Sequence, residues 1–176
     1  MKKIYVLVLA VLIGACSSVK VTYDYDRNAD FGKYKTYAYS EDVKNMEVGQ
    51  LVLDRIVNAV DAEMAAKGFT KSESPDLLVD MHLKTATRTE AVANNTGGYY
   101  GRYGYWGGAR GSTTISYNEY TDGSLFINFV DRSTEKLVWQ GVGTKTLVEN
   151  ASPEKMDANV TYAVKSILAK YPPVQK

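Results

Sequence analysis

The amino-terminal segment is the feature that most constrains how this chain can fold. A short basic start, Met1-Lys2-Lys3, precedes twelve uncharged residues, 4–15, and Cys16, the only cysteine, follows them directly. This run is too short for a membrane-spanning helix, which needs about twenty residues, but it fits the roughly 7–15 residues of a signal-peptide core. Because a lone cysteine cannot form a disulfide within the chain, the rest of the protein must depend on its own hydrophobic core.

Residues 13–16, Ile-Gly-Ala-Cys, resemble the lipobox of bacterial lipoproteins, although family members more often carry Leu where this chain has Ile13. The resemblance implies that the Cys16 thiol is diacylated, that the chain is cut before it, and that the new amino terminus is acylated. A plain secretory signal with an incidental cysteine and an uncleaved amino-terminal helix are the alternatives. We predict a signal peptide at residues 1–15 and a lipidated amino terminus with a short tether at residues 16–18.

The residues after Cys16 bear on localisation. In the sorting rule for lipoproteins an Asp at the next position retains the protein in the inner membrane, so Ser17 resembles an outer-membrane address. Ser17-Ser18 also lack the acidic run that some bacteria use for surface export. We therefore expect a cell-envelope lipoprotein on the periplasmic side of the outer membrane, with the membrane as its partner through the acyl chains on Cys16.

Composition limits the remaining possibilities. The chain has 21 Lys and Arg against 20 Asp and Glu, for a formal net charge of +1, so no basic surplus favours nucleic acid as a partner. Residues 19–176 have the length of one domain and show no internal repeat or interdomain linker. Fourteen tyrosines against four phenylalanines are typical of half-buried strands.

Two segments have the periodicity of helices with one apolar face. Residues 48–67 repeat apolar side chains at intervals of three and four, and Gly68 stands where a helix-terminating glycine belongs. Ser152-Pro153-Glu154 has the cap, proline and early acid of a second helix start. That helix carries its own apolar stripe, and the Pro172-Pro173 pair ends it.

Alternating apolar and polar residues predict strands between these helices. The clearest is 76–85, whose pattern can be followed to Ala91. Asp122-Gly123 is a tight-turn signal between two further strands. The predicted strands are 19–25, 35–39, 76–85, 113–120, 124–130 and 137–148.

The element order is therefore ββαββββα. Hairpin connections imply antiparallel pairing, and each helix has a single apolar face to bury. We predict an α+β two-layer sandwich, with one mainly antiparallel sheet and two helices packed on one face. The other face of the sheet would be open to water or to a partner.

Several segments resemble one family of bacterial lipoproteins, the domain of unknown function 4136 family. Each motif alone is only moderately specific, but their order is the same, and together they cover nearly all of the mature chain. The family implies an envelope lipoprotein with an α+β domain, and it implies no activity and no catalytic residues. Tyr39 stands where members often have Trp. The motifs are residues 24–26 (DYD), 30–37 (DFGKYKTY), 67–69 (KGF), 75–79 (PDLLV), 122–125 (DGSL), 130–131 (VD) and 136–141 (KLVWQG).

The chain lacks most groups that catalysis requires. His82 is the only histidine and lies on the polar side of a predicted strand, where it is expected to be solvated. With no second histidine or free cysteine, the usual His/Cys zinc sites and the Cys–His nucleophile pair are excluded, so we predict no metal and no cofactor. Gly141-Val142-Gly143 lies inside a predicted strand and is interpreted as a packing feature rather than a phosphate loop.

Carboxylates leave two alternatives open. Asp24, Asp26 and Asp30 are close enough in sequence to ligate calcium, or they hydrogen-bond nearby backbone amides in turns, which the missing EF-hand glycine and glutamate favour. A pair of acids for glycoside hydrolysis is also compatible with the sequence, because the spatial separation of carboxylates cannot be deduced from it.

A Gly/Tyr-rich loop at residues 94–111 is the candidate binding element. Tyrosine and tryptophan stack on sugar rings or lie at a membrane interface, and the alternative is a disordered low-complexity connection between strands. The candidate binding residues are Tyr99, Tyr100, Arg102, Tyr103, Tyr105 and Trp106.

Together these observations predict a lipid-anchored, non-catalytic binding or scaffolding domain, with an envelope protein or a glycan as a further partner. The alternatives are an envelope glycan hydrolase that uses paired carboxylates, and a carrier of a small apolar ligand on the open face of the sheet.

Overall fold

The computed structural model describes residues 19–95, 113–148 and 150–174. In chain order the strands and helices are β1 (Lys20–Tyr25), β2 (Thr36–Tyr39), α1 (Gln50–Ala66), β3 (Thr70–Lys71), β4 (Leu77–Asn95), β5 (Thr113–Asp131), β6 (Lys136–Thr146) and α2 (Pro153–Leu168). Short 3-10 turns at Phe31–Lys33 and Glu41–Asn45 flank β2. No helix in the described ranges is both long enough and apolar enough to span a bilayer.

The strands form one six-stranded sheet in the order β1-β6-β5-β4-β2-β3. The β1–β6, β6–β5 and β5–β4 pairs are antiparallel, whereas β2 runs parallel to both β4 and β3. The sheet and the two helices confirm the predicted α+β class. The parallel pairs arise because α1 separates β2 from β3 and β4 along the chain, so the chain returns across the sheet in the same direction.

Both helices pack on one face of the sheet, where alternate residues of the central strands are buried. α2 lies so close to β6 that a Cβ at Gly141 would sit 2.5 Å from Ile167 Cγ2 and 2.4 Å from the Trp139 ring. The packing interpretation of the two glycines in β6 is therefore confirmed. The core residues of this face include Leu77, Val79, Met81, Ile127 and Phe129 from the strands, Ile56, Val60 and Met64 from α1, and Val164, Ile167 and Leu168 from α2.

The helix boundaries follow from local interactions. The Ser152 side chain accepts a hydrogen bond from the Lys155 amide at the start of α2, with Pro153 at the first position. Gly68 has φ +83° just after α1, a conformation that glycine adopts without steric cost. The predicted start of α2 at Ser152-Pro153 and the predicted end of α1 at Gly68 are therefore confirmed. α1 begins at Gln50, two residues later than predicted.

The predicted turn at Asp122-Gly123 is wrong. β5 is continuous from Thr113 to Asp131, and Asp122 and Gly123 pair with Ala86 and Thr85 of β4. The two residues are held extended because β4 and β6 flank them on both sides at this point. The element order agrees with the predicted one only because the two-residue β3, which was not foreseen, replaces the strand lost by this merger.

β4 and β5 continue far beyond the other strands. β6 last pairs with β5 at Thr146 and Asp122, and β2 last pairs with β4 at Tyr39 and Val79. From Thr87–Thr121 to Asn95–Thr113 only β4 and β5 remain paired. We call this two-stranded ribbon, residues 87–95 and 113–121, the arm, and the rest of the domain the body. At about 3.4 Å per residue the arm is about 30 Å long.

Candidate functional site

The arm exposes large apolar side chains close together on a ribbon that neither α1 nor α2 covers. Ile115 is 54% exposed, Tyr117 70% and Val92 39%. Within the ranges that the structure describes, no strand pairs with the outer edge of either arm strand. A two-stranded ribbon is only marginally stable in water, and a free strand edge is a template for further contacts. The arm therefore has the properties of a contact element.

Charge is unevenly distributed along the arm. Arg88, Glu90 and Glu119 lie in its half nearer the body, whereas residues 91–95 and 113–117, which we call the distal arm, include no charged residue type. Two cross-strand pairs, Ala91–Tyr117 and Ala93–Ile115, form one apolar face of the distal arm. This face suits an apolar or interfacial environment better than bulk water.

The arm is fastened to the body through Arg88. Its Nε lies 2.8 Å from Asp122 Oδ2, its guanidinium also pairs with Glu90, and it stacks 5.0 Å from the centre of the Tyr120 ring. Thr146 at the end of β6 donates a 2.7 Å hydrogen bond to Asp122. These contacts join three strands where the arm leaves the body.

The open face of the sheet carries a row of hydrogen-bonded polar side chains. Ser40 donates to Asp80 at 3.1 Å, Asn128 donates to the other Asp80 oxygen at 3.2 Å, and Gln140 donates to Asn128 at 2.8 Å. His82, predicted to be solvated, is half-buried on this face, and its ring stacks on Phe126 with 4.4 Å between the centroids. These groups satisfy one another across three strands, as a structural network does.

Asp131 is the most heavily hydrogen-bonded carboxylate in the described part of the chain. It is 3% exposed and accepts hydrogen bonds from Lys33 Nζ at 2.7 Å, Tyr34 OH at 2.8 Å and Ser133 Oγ at 2.6 Å, and from the amides of Ser133 and Thr134. The Lys33 hydrogen bond, followed by those of Ser133, Tyr34 and Thr134, lowers the pKa of Asp131 far below its usual range. Burial and the bond to Asp131 raise the pKa of Tyr34 to about 12.

Asp61 links α1 to the edge of the sheet in a similar way. It accepts hydrogen bonds from Tyr37 OH at 2.8 Å, Tyr39 OH at 2.7 Å and Lys71 Nζ at 2.6 Å. Burial by itself would raise the pKa of Asp61, but the bonds from Lys71 and the two tyrosines outweigh burial and lower it. Both Asp131, which is buried, and Asp61, which is partly buried, are therefore held ionised, the protonation state opposite to that of a general acid.

The three aspartates near β1 accept hydrogen bonds from neighbouring backbone amides. Asp26 accepts a 2.8 Å hydrogen bond from the Asn28 amide, and Asp30 accepts a 2.9 Å bond from the Gly32 amide at the start of a 3-10 turn. Asp24, within β1, accepts from the amide of the next residue, Tyr25. The interpretation that these carboxylates bond nearby backbone amides is therefore confirmed, with Asp26 and Asp30 doing so in turns. Across the described ranges no three acidic, histidine or cysteine side chains are close enough together to hold a metal ion.

The other predicted site residues lie outside the described ranges. These are Cys16 and the loop residues Tyr99, Tyr100, Arg102, Tyr103, Tyr105 and Trp106. In sequence the loop lies between the ends of β4 and β5, so the arm is the element that leads to it. The sequence predicted most of both arm strands, as the pattern continuing to Ala91 and the strand 113–120, but not that they pair with each other beyond the rest of the sheet. The uncharged stretches 91–95 and 113–118 were a further signal.

Solved structures with the same general fold include a PDZ domain protein from Parabacteroides distasonis, with a TM-score of 0.54 and 19% identity over 90% of this chain. This chain spans only 36% of that protein. A PelC dodecamer from Paraburkholderia phytofirmans matches with a TM-score of 0.45 and 12% identity, over 86% of this chain and 96% of that one. No curated protein matches the sequence.

A family model provides the identification. The model described as "Domain of unknown function (DUF4136)" matches residues 21–173. The match runs from β1 to the residues after α2 and includes the arm, so it covers the whole fold. The chain therefore belongs to the DUF4136 family.

Proposed function

We propose that this protein is a lipid-anchored protein of the cell envelope, on the periplasmic side of the outer membrane, whose domain binds or scaffolds and does not catalyse. The arm is the observation that carries the proposal. It projects about 30 Å from a well-packed body, and its strand edges and apolar side chains are exposed. A stable body that holds out a contact element is the architecture of a binding module.

The ionised states of three hydrogen-bonded aspartates support a non-catalytic role. Hydrogen-bond donors lower the pKa of Asp131, Asp61 and Asp76, whereas a glycosidase needs one carboxyl group with a raised pKa as general acid. Turnover of cell-wall glycan by the domain, lost on single Asp or Glu substitutions, would contradict the proposal.

Packing argues against an apolar-ligand carrier. Side chains from both helices and the central strands fill the layer between helices and sheet. A cleft of about 340 Å³ beside Phe31, Lys67 and Tyr171 opens to solvent, unlike the enclosed pockets that bury most of a small ligand.

The anchor is tested at Cys16. We expect Cys16→Ser to accumulate as an uncleaved, unacylated precursor, because the acylated thiol is the feature that the processing peptidase recognises in lipoproteins, as the lipobox resemblance implies. Mass spectrometry of the full chain from membrane and soluble fractions measures both the acyl groups and the cut. Ser18→Ala is the matched control and should be processed normally. Normal cleavage of the Cys16→Ser chain, or an unmodified thiol in the parent protein, would contradict the anchor.

A further inference from the structure

The anchor joins the domain at the point where the arm begins. Lys20, the first residue of β1, pairs with Thr144, and Thr144 pairs with Ser124, which pairs with Lys84. These four residues form one row across the sheet. From this row β1 runs away from the arm, toward Tyr25. The residues that precede β1, including Cys16, therefore join the body at the end from which the arm extends.

The tether is short compared with the molecule. Cys16 lies four residues before Lys20, a reach of at most about 14 Å. From the Lys84 row the arm extends to Asn95, about 36 Å away, and in the opposite direction β4 extends to Leu77, about 23 Å away. If the strands stood perpendicular to the membrane, one of these two halves would have to fit between Lys20 and the bilayer, but both are longer than the tether. The strand axis therefore cannot stand perpendicular to the bilayer and lies at an inclined or shallow angle to its surface.

We infer that the distal arm docks on the interface of the bilayer that holds the anchor, an inference that rests on the proposed lipidation of Cys16. With Lys20 at most about 14 Å from the bilayer, a shallow tilt of the domain is enough to bring the distal arm to that surface. The distal arm has no charged residue to solvate, and it exposes Ile115 and Tyr117. Tyrosine beside aliphatic residues is the combination that favours the boundary between headgroups and acyl chains.

The free edges of the arm limit how deep it can go. Unpaired backbone N–H and C=O groups cost several kcal/mol each in hydrocarbon, and among the described residues no strand pairs with either outer edge of the distal arm. At headgroup level, water and lipid polar groups can satisfy these edges. The arm therefore lies in the interface and does not cross the bilayer, while the acyl chains supply permanent attachment. Two attachment points fix the orientation of the body.

Site-specific labels test the contact, because acylation of Cys16 would leave an introduced cysteine as the only free thiol. The acylated full chain carrying Ala93→Cys is labelled with a polarity-sensitive fluorophore and reconstituted into vesicles of phosphatidylethanolamine and phosphatidylglycerol. Arg132→Cys, at the opposite end of the sheet, is the reference position. We expect lipid-borne nitroxide to quench the Ala93 label several-fold more than the Arg132 label, and headgroup nitroxide to quench it more than nitroxide at the bilayer centre.

A matched pair of variants identifies the face. In the Ala93→Cys background, Ile115→Glu should abolish the extra quenching, because it places a charge on the apolar face of the distal arm. Ser116→Glu places the same charge one residue away on the opposite face and should preserve it. An unchanged urea midpoint in both shows that the body stays folded.

Three results would overturn the inference. Water-like emission from the Ala93 label of an acylated, vesicle-bound chain would overturn the docking and leave the anchor intact. Close approach of labels on two chains without lipid quenching would place a second copy on the arm instead. An unacylated Cys16 in mass spectrometry would overturn the anchor, and the docking with it.

Discussion

The body and the arm share the same two strands but differ in what covers them. On β5, Ile127 and Ile115 lie an even number of residues apart and so point to the same side of the strand. Ile127 is fully buried under the helices, whereas Ile115 is 54% exposed. Residue type, strand and side are the same, so the layer above the sheet alone makes one isoleucine part of the core and the other part of a surface.

The body and the arm also differ in the contacts that stabilise them. The body is stable because two helices cover the sheet and because buried acids such as Asp131 are fully hydrogen-bonded. The arm has neither a covering layer nor a buried acid in the described ranges, and its contacts with the body concentrate at Arg88. An element built in this way contributes little to folding and is available for contacts.

The largest expected difference between body and arm is in the free energy of unfolding that is lost when a large apolar side chain is shortened to alanine. Ile127→Ala should lower the free energy of unfolding by about 2–5 kcal/mol, because it leaves a cavity in a closed core. Ile115→Ala should change it by no more than about 0.5 kcal/mol, as for other surface positions. Urea denaturation of the domain without its signal peptide measures both. Equal losses would mean that the arm is part of the cooperative core.

A smaller effect is expected from the buried acid. Asp131→Asn should cost about 1.5–3 kcal/mol near neutral pH, because it weakens hydrogen bonds between charged groups. The pKa of Asp131 is lower in the folded than in the unfolded chain, so its stabilisation is complete above the unfolded value of about 4 and is lost as the pH falls below it.

Unfolding measured from pH 7 to pH 3 tests this dependence. The gap between the parent and the Asp131→Asn variant should be constant from pH 7 to about pH 5 and should narrow steadily below about pH 4, without closing by pH 3, because the folded pKa lies lower still. Glu119→Gln, in the exposed part of the arm, is the control and should follow the parent throughout. A gap between the parent and Asp131→Asn that stays constant down to pH 3 would show that the carboxylate is not the source of the pH dependence.

The smallest effect is expected at the base of the arm. Arg88→Gln removes exposed ion pairs, which typically contribute about 0.2–1 kcal/mol, so the global unfolding midpoint should hardly change. Amide hydrogen exchange in residues 87–95 and 113–121 should nevertheless become faster, because local opening depends on these contacts. Arg132→Gln, which removes a pair with Glu135 at the other end of the sheet, should leave arm exchange unchanged. Slower or unchanged exchange in Arg88→Gln would refute the fastening role.

The features that the sequence alone determined are those that depend on neighbouring residues or on a repeating pattern of apolar residues. The apolar stripes of α1 and α2 required one covering layer, Ser152 and Pro153 set the start of α2, and Gly68 ended α1. The order of short motifs identified the family before any coordinates did. These features could be predicted because each depends on residues close together in the chain.

Only the tertiary structure decided how distant segments pair. Asp122-Gly123 has the composition of a turn, yet β4 and β6 on either side keep it extended. The parallel pairing of β2 with β4, and the existence of β3, also depend on contacts between segments far apart in sequence. The extent of the arm was not predicted for a related reason: neither α1 nor α2 covers it, so no buried face imposes an apolar alternation, and the strand pattern could be followed only to Ala91 although β4 continues to Asn95.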